Sequence, residues 1–153
     1  MTLALEHMIL NVDFAAGQIA ALQIGGKQRL HAPTALFALR VRDLAGNATV
    51  YGAHDATACT LTEDGAIYAG FALAGLCVQV HLADKQGSAA WRAEVRGLDE
   101  AHVIEWLDFP LLTLPALHEN TTSAVPWRLR LTKSLLSFVR MATLPLRSRY
   151  PRI

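Results

Sequence analysis

Apolar and polar residues that alternate at every second position are the feature that most constrains the fold of this chain. The clearest case is residues 76–82, where Leu76, Val78, Val80 and Leu82 alternate with Cys77, Gln79 and His81. Successive side chains of a strand point to opposite faces, so this stretch predicts a strand with one apolar face. No stretch of residues 8–114 shows a helical period instead.

The same alternation recurs along residues 8–114 and predicts eight antiparallel strands. Clear strands are predicted at 37–42, 67–73 and 91–96, and weaker ones at 8–14, 18–24, 57–62 and 102–109. Short connectors rich in Gly, Asn and Asp separate them, as hairpins require. One apolar face per strand implies two sheets packed face to face, so we predict an all-β fold, an antiparallel β-sandwich. The predicted core contains Phe37, Leu39, Val41, Val78, Val80, Trp91 and Val95. In 67–73 the predicted core face is Ile67, Ala69, Phe71 and Leu73, with Tyr68 and Gly70 opposite.

The stretch WLDFPLL (106–112) indicates how the last strand ends. Pro110 cannot donate to a sheet ladder, so the paired strand should end there or lie at an edge. Simple alternation places Glu105 on one face with Val103, Leu107 and Phe109, and Asp108 on the other with Ile104 and Trp106. A strand that is apolar on both faces is usually covered on both sides.

Composition and cysteine content set the class of protein. Of the 153 residues, 52% are apolar and 18% are charged, which suggests a single domain partly covered by another domain or partner. Two cysteines, Cys59 and Cys77, are too few for a disulfide framework; they are either buried small apolar residues or one bridge. Residues 1–10 resemble no signal peptide and no segment is long enough to span a membrane, so we expect a cytoplasmic protein without a membrane partner.

The C-terminal residues differ from the rest of the chain. Residues 128–153 hold seven Lys and Arg residues and no Asp or Glu, whereas residues 1–127 carry a net charge of −6. We therefore divide the chain into a partial β-sandwich domain (1–118) and an atypical basic tail (119–153), which we expect to be either helical over 129–142 or disordered. The tail is interpreted as a solvated or docking helix, as a nucleic-acid or membrane-binding segment, or as sequence read in a shifted frame. We expect no nucleic-acid partner.

Few residues suggest chemistry. The six histidines are not at metal-ligand spacing and no phosphate-binding or nucleophile motif is present, so we predict no metal, cofactor or catalytic residue. Glu105 and Asp108 could be paired acids of a glycosidase, but alternation puts them on opposite faces unless a bulge intervenes. Trp106 and Asp108 share a face, and they are candidates for contacting carbohydrate. The competing interpretation of this pair is packing against a neighbouring domain.

Two blocks resemble a known family. Residues 5–47 contain Asp13, Gly17, Ile19 and Leu22, followed by Leu36, Phe37, Leu39, Arg40, Arg42 and Asp43. This order is similar to the opening of the galactose-mutarotase-like supersandwich found at the N-terminus of many bacterial glycoside hydrolases. Residues 91–112 are similar to its later strand pair, which ends in an acidic residue followed by Phe and Pro.

The resemblance implies a sandwich that precedes a catalytic (β/α)-barrel, and no barrel is encoded in these residues. We therefore expect a non-catalytic portion of a carbohydrate-active enzyme, a fragment whose partner is the missing C-terminal catalytic domain. The alternatives are a free-standing carbohydrate-binding module, which uses Trp106 or Trp91 as a stacking platform, and a mutarotase-like epimerase.

Overall fold

The computed structural model of the protein describes residues 1–111 and 139–140. Within them the fold is all-β, with antiparallel strands and one short 3₁₀ turn at Ala53–Asp55. The strands are β1 Thr2–Leu5, β2 Met8–Asp13, β3 Gln18–Ile24, β4 Lys27–Gln28, β5 Thr34–Ala35, β6 Ala38–Asp43, β7 Ala48–Gly52, β8 Ala58–Leu61, β9 Gly65–Ala69, β10 Cys77–Asp84, β11 Ala89–Arg96, β12 His102–Asp108 and β13 Val139–Arg140.

The strands form three sheets. Sheet I has the order β1-β2-β3-β4, with β5 also paired to β3. Sheet II has the order β12-β6-β7, and sheet III has the order β13-β11-β10-β9-β8. Most neighbours are consecutive hairpins, as the Gly- and Asp-rich connectors predict. The exceptions are β5, which pairs with β3, β13, which pairs with β11, and β12, which returns from the end of sheet III to pair with β6.

The apolar faces of the sheets meet in one core, which gives the sandwich-like architecture. Three edge-to-face aromatic pairs pack within it, with ring centroids 5.4–5.7 Å apart: Phe37–Tyr68, Tyr51–Phe71 and Trp91–Phe109. Five of the seven predicted core residues are fully buried (Phe37, Leu39, Val41, Val78 and Val80). Trp91 and Val95 are half-buried and pack against the core.

The prediction for strand β9 is wrong in its choice of face. Tyr68 is buried, whereas Ile67 and Ala69 are only half-buried. The physical reason is register: Tyr68 lies opposite Val78, and residues directly opposite in an antiparallel pair share a face. The Tyr68 hydroxyl reaches across the core and donates a hydrogen bond to the carbonyl of Phe14 at 2.6 Å, which satisfies its polar end.

Five strands were missing from the sequence prediction. They are β1, β4, β5, β7 and β13, of two to five residues each. The first three are short segments in which residues alternate over too few positions to give a signal, and β13 lies beyond residues 8–114, where strands were predicted. Strand β7 has three exposed residues, Ala48, Thr49 and Val50, and only Tyr51 is a large buried side chain, so it gives no regular alternation.

The cysteine expectations are also wrong. Cys59 and Cys77 are both free thiols, and Cys59 is exposed rather than buried. Cys59 lies in β8, which pairs with β9 alone among the described strands, and its thiol is covered only in part, by the Phe14 carbonyl at 3.6 Å. Burial is the first cause, and the Asp13 carboxylate the second, of a raised pKa of the Cys59 thiol.

The last strand ends as Pro110 predicts. Strand β12 stops at Asp108, two residues before the proline, and the Phe109–Pro110 peptide is cis. Beyond it the amide of Leu111 donates to the carbonyl of Leu36 at 3.1 Å. The domain boundary at residue 118 and most of the basic tail lie outside the described residues. Val139 and Arg140 are extended against β11, so of the two interpretations of the tail, helical or disordered, the helix does not hold at these two residues.

Candidate functional site

The outer face of sheet II contains the residues that the sequence singled out. Leu39, Val41 and Leu107 are buried on its inner face. Opposite residues of neighbouring strands share a face, so Trp106 of β12, Arg40 of β6 and Val50 of β7 form a row across the outer face. Val50 remains 50% exposed, and Trp106 is half-buried. We call this surface the sheet II outer face.

A β-bulge at Glu105 determines what this face presents. The register shifts between Ile104 and Trp106, so that Glu105 is an extra residue with no direct partner on β6. A bulge bends the strand and redirects a side chain. Glu105 therefore joins the outer face, and the prediction that it shares a face with Leu107 is wrong.

Glu105 is held by two arginines. Its carboxylate oxygens lie 2.7 Å from Nε of Arg40 and 2.8 Å from Nε of Arg42. The Arg40 contact is an ion pair rather than a hydrogen bond, because its Nε–H is not aligned with an acceptor. The two arginine side chains are 43% and 49% exposed, so each pair contributes about 0–1 kcal/mol. Their main effect is to hold two guanidinium groups side by side next to Trp106.

The second candidate residue, Asp108, is in a different environment. It lies opposite Ala38 at the end of β12, on the same outer face as Trp106. The shared face is as predicted, yet only 7% of Asp108 is exposed. A carboxylate that is so buried is a poor first contact for a dissolved sugar, because the sugar would have to displace protein atoms to reach it. Of the two candidates, Trp106 is therefore the more accessible.

The bulge also changes the relative position of the two acids, Glu105 and Asp108. It brings Glu105 to the face that carries Asp108, so the two acids are not on opposite faces as simple alternation predicts. Their surroundings nevertheless differ from those of a glycosidase pair. Such a pair needs one free carboxylate and one proton donor on either side of the scissile bond. Here the Glu105 carboxylate is ion-paired with two guanidinium groups, and Asp108 is buried.

Trp91, the other possible stacking platform, is part of the packing instead. It is opposite Leu82, which is fully buried, and its ring meets that of Phe109 edge-on at 5.4 Å and 88°. An aromatic ring that stacks on a sugar must offer its flat face to solvent. This ring is used between sheets II and III.

A second polar cluster lies on the outer face of sheet III, and sequence reasoning did not identify it. Nδ1 of His81 lies 2.9 Å from Oδ1 of Asp64. An ionised carboxylate only accepts hydrogen bonds, so Nδ1 carries the proton. This hydrogen bond is the main cause of a lowered pKa of Asp64. On the neighbouring strand Glu94 accepts a hydrogen bond from Arg96 at 2.8 Å, which likewise lowers the pKa of Glu94.

The polar positions of β10 and β11 were the available signal for this cluster. His81 alternates with buried residues, which placed it on the outer face, but Asp64 comes from the β8–β9 turn. Its approach to His81 follows from the register of β9 on β10, in which Gly65 lies opposite His81. Sequence alone does not supply that register.

One cavity lies at the tip of sheet I. It has a volume of about 320 Å³ and is bordered by the β1–β2 turn, with Glu6 and His7, and by Gln23 and the glycines after β3. Glu6 and His7 are 3.4 Å apart and strongly exposed.

The described residues form neither a metal-ligand cluster nor a membrane-spanning helix. Within residues 1–111 and 139–140, no three His, Cys, Asp or Glu side chains come together as a metal site would require. The described part of the chain contains no helix with the length and apolarity that crossing a bilayer demands.

Comparison with known proteins gives no relatives. No family model, no curated protein and no solved structure matches this chain. The resemblance to the glycoside hydrolase sandwich therefore stays a prediction from the motifs of the chain itself.

Proposed function

We propose that this chain is the non-catalytic β-sandwich portion of a carbohydrate-active, glycoside hydrolase-like enzyme, and that its sheet II outer face packs against the catalytic domain. One observation carries the proposal. The two sequence blocks that resemble the hydrolase family contain β6 and β12, which are neighbouring strands, and Arg40, Arg42 and Glu105 join these two strands.

The motif residues support a structural rather than a catalytic role. Ile19 and Phe37 are fully buried, and Gly17 makes the β2–β3 turn with φ 64°. A Cβ on Gly17 would come within 2.2 Å of Cβ of Ala53, so the turn requires glycine on both counts. These residues determine how the strands pack, and none of them faces a binding cleft.

The composition of the outer face also supports packing. Trp and Arg are enriched at the centres of protein interfaces, where a large aromatic surrounded by partly neutralised charge is a common anchor. Trp106 beside the Arg40–Glu105–Arg42 group has this character, and Val50 extends the row with an exposed apolar side chain. An unpartnered Glu would not suit such an interface, but this one already has two arginines.

The coding region itself offers the first test. The nucleotide sequence downstream of codon 118, translated in all three frames, should encode a (β/α)-barrel in one of them. A downstream region without a barrel in any frame would contradict the proposal.

Activity offers the second test. The chain alone should turn over no member of a panel of aryl-glycosides. Turnover that is present in the native chain and lost in both Glu105→Gln and Asp108→Asn would contradict the proposal and make the two acids catalytic.

A free-standing carbohydrate-binding module is the second candidate function. It is favoured by the partial exposure of Trp106 next to hydrogen-bonding groups on Arg40 and Glu105. A glycan array distinguishes the two functions. Binding that is lost in Trp106→Ala and kept in Val50→Ala, with stability unchanged, would support the module and contradict docking as the role of this face.

A further inference from the structure

We propose that strand β8 is a docking edge, to which an extended peptide segment of a partner protein adds as a further antiparallel strand of sheet III, and that this segment has apolar residues at alternate positions and basic residues at its ends. The inference does not depend on the proposed function. It rests on a different sheet and on the hydrogen-bonding pattern of its last strand.

The hydrogen bonds within sheet III show which groups of β8 face outward. The Leu82 amide of β10 donates to the Asp64 carbonyl just before β9. Hydrogen-bonded residues recur at every second position, so Ala66 and Tyr68 are the residues of β9 that bond to β10. The other residues of β9 therefore bond to β8, in step with the 3.0 Å bond from the Thr62 amide to the Gly65 carbonyl. The amides and carbonyls of Cys59 and Leu61 consequently point away from the sheet.

Strand β8 lacks the features that usually protect an edge. Edge strands of natural proteins carry lysine, proline or a bulge, which prevent another strand from adding. Residues 56–62 contain no charged residue and no proline, and the pairing of β8 with β9 has no register shift. Two other edge strands do carry such features, since β4 begins with Lys27 and β12 has its bulge at Glu105.

Side chains of β8 would contribute to binding as well as its backbone. Cys59 and Leu61 lie opposite the buried residues Tyr68 and Ala66, so they are on the core side of sheet III. All four residues of β8 are nevertheless exposed, and Leu61 remains 60% exposed. An added strand with an apolar residue next to Leu61 would continue the core layer, and polar residues at its intervening positions would lie beside Thr60 on the outer face.

The negative charge around β8 indicates which type of peptide segment would add to it. Residues 43–84, which include β7 to β10, contain five acidic residues and no Lys or Arg. Asp55 precedes β8, Glu63 follows it, and Asp13 is close enough to act on the Cys59 thiol. A second copy of this chain added antiparallel to β8 would bring Asp55 near Glu63 of the other copy, which is repulsive. A basic segment would be attracted at both ends.

The test uses the full chain and a synthetic peptide, acetyl-Arg-Val-Thr-Val-Thr-Val-Arg-amide. Binding is measured by fluorescence anisotropy of the labelled peptide, and amide hydrogen exchange is followed at Cys59 and Leu61. We expect both amides to exchange rapidly in the free protein and slowly with peptide bound. Glu in place of both terminal Arg residues should weaken binding at least about tenfold, the effect of losing about two favourable charge pairs.

Matched variants locate the site. Leu61→Lys should abolish peptide binding, because a lysine on an edge strand opposes strand addition and loses the apolar contact. Val50→Lys, the same kind of substitution on the exposed edge strand of sheet II, should leave binding unchanged. Equal loss in both variants would overturn the proposal.

Three further results would overturn it. The first is slow exchange of both amides in the free, dilute protein, since the edge would then be covered by another part of the same chain. The second is protection that appears only as protein concentration rises, which would make a second copy the occupant. The third is equal affinity for the peptides with Arg and Glu ends.

Discussion

Truncation of Phe109 should destabilise the protein far more than truncation of Trp106, although the two aromatics are only three residues apart. Phe109 is 5% exposed and packs edge-to-face on Trp91 at 5.4 Å, whereas Trp106 lies on the sheet II outer face with one side open. Replacing a buried Phe by Ala costs about 3–5 kcal/mol, because apolar contact is lost and a cavity remains. Of this, about 0.5–1.5 kcal/mol belongs to the aromatic pair.

Trp106→Ala removes a larger side chain from a more exposed place. Only the part of the ring that is covered contributes, so we expect a cost of about 1–2 kcal/mol, between the value for a surface site and the value for a core site. Urea unfolding measures both variants. With a slope of about 2 kcal/mol per molar urea, Phe109→Ala should lower the midpoint by about 1.5–2.5 M and Trp106→Ala by under about 1 M.

Two controls complete this experiment. Leu44→Ala, at a turn residue that is 81% exposed, should lie within about 0.5 kcal/mol of the native chain. If Phe109→Ala does not fold, Phe109→Leu retains most of the apolar volume and loses the ring pair, at a cost of about 1–1.5 kcal/mol. A cost for Phe109→Ala that is smaller than the cost for Trp106→Ala would refute the reasoning and make Trp106 the anchor of the core.

Three further substitutions each test one polar interaction of the structure. Tyr68→Phe should cost about 0.5–1.5 kcal/mol in urea unfolding, because the Phe14 carbonyl loses its 2.6 Å hydrogen bond from the hydroxyl but keeps the 3.2 Å bond from the Gly17 amide; an unchanged midpoint would mean that water replaces the hydroxyl. Asp64→Asn should reduce stability near neutral pH, and the difference from the native chain should shrink as pH falls below about 4, since a lowered carboxyl pKa adds stability only where the carboxyl is ionised. A difference that persists at pH 2 would contradict this cause. Glu105→Gln should cost under about 1 kcal/mol at low salt and nothing measurable in 1 M NaCl, where surface ion pairs are screened; a cost independent of salt would point to packing of Glu105 instead.

Regular alternation was sufficient to predict the core faces of β6 and β10. Leu39 and Val41 are buried as predicted, and so are Val78 and Val80, because each of these strands keeps its parity from end to end. The face of β9 could not be predicted in the same way. Its face is set by the partner of Tyr68, which is Val78, and pairing register between strands is a tertiary property that one strand's composition does not contain.

The candidate site was predictable only in part. Trp106 and Asp108 are two residues apart beyond the bulge, so their shared face followed from alternation. The contribution of Glu105 did not follow, because one inserted residue reverses the parity of everything before it. The burial of Asp108 could not be predicted either, since it depends on packing at the end of β12 rather than on the sequence around it.

The edge strands β12 and β8 differ in whether another strand could pair with them, and this difference links the two proposals. At the edge formed by β12, the bulge interrupts the ladder and Glu105 turns toward Arg40 and Arg42, which discourages another strand from pairing there. What remains on that side is a face, suited to contact through side chains such as Trp106. At β8 the ladder is regular and uncharged, and it is suited to contact through the backbone. A chain that used β12 for strand addition would be expected to lack the bulge, and a chain that avoided strand addition altogether would be expected to carry a charge on β8. The two surfaces should therefore bind partners independently, so that Leu61→Lys leaves the properties of the sheet II outer face unchanged and Trp106→Ala leaves peptide binding at β8 unchanged.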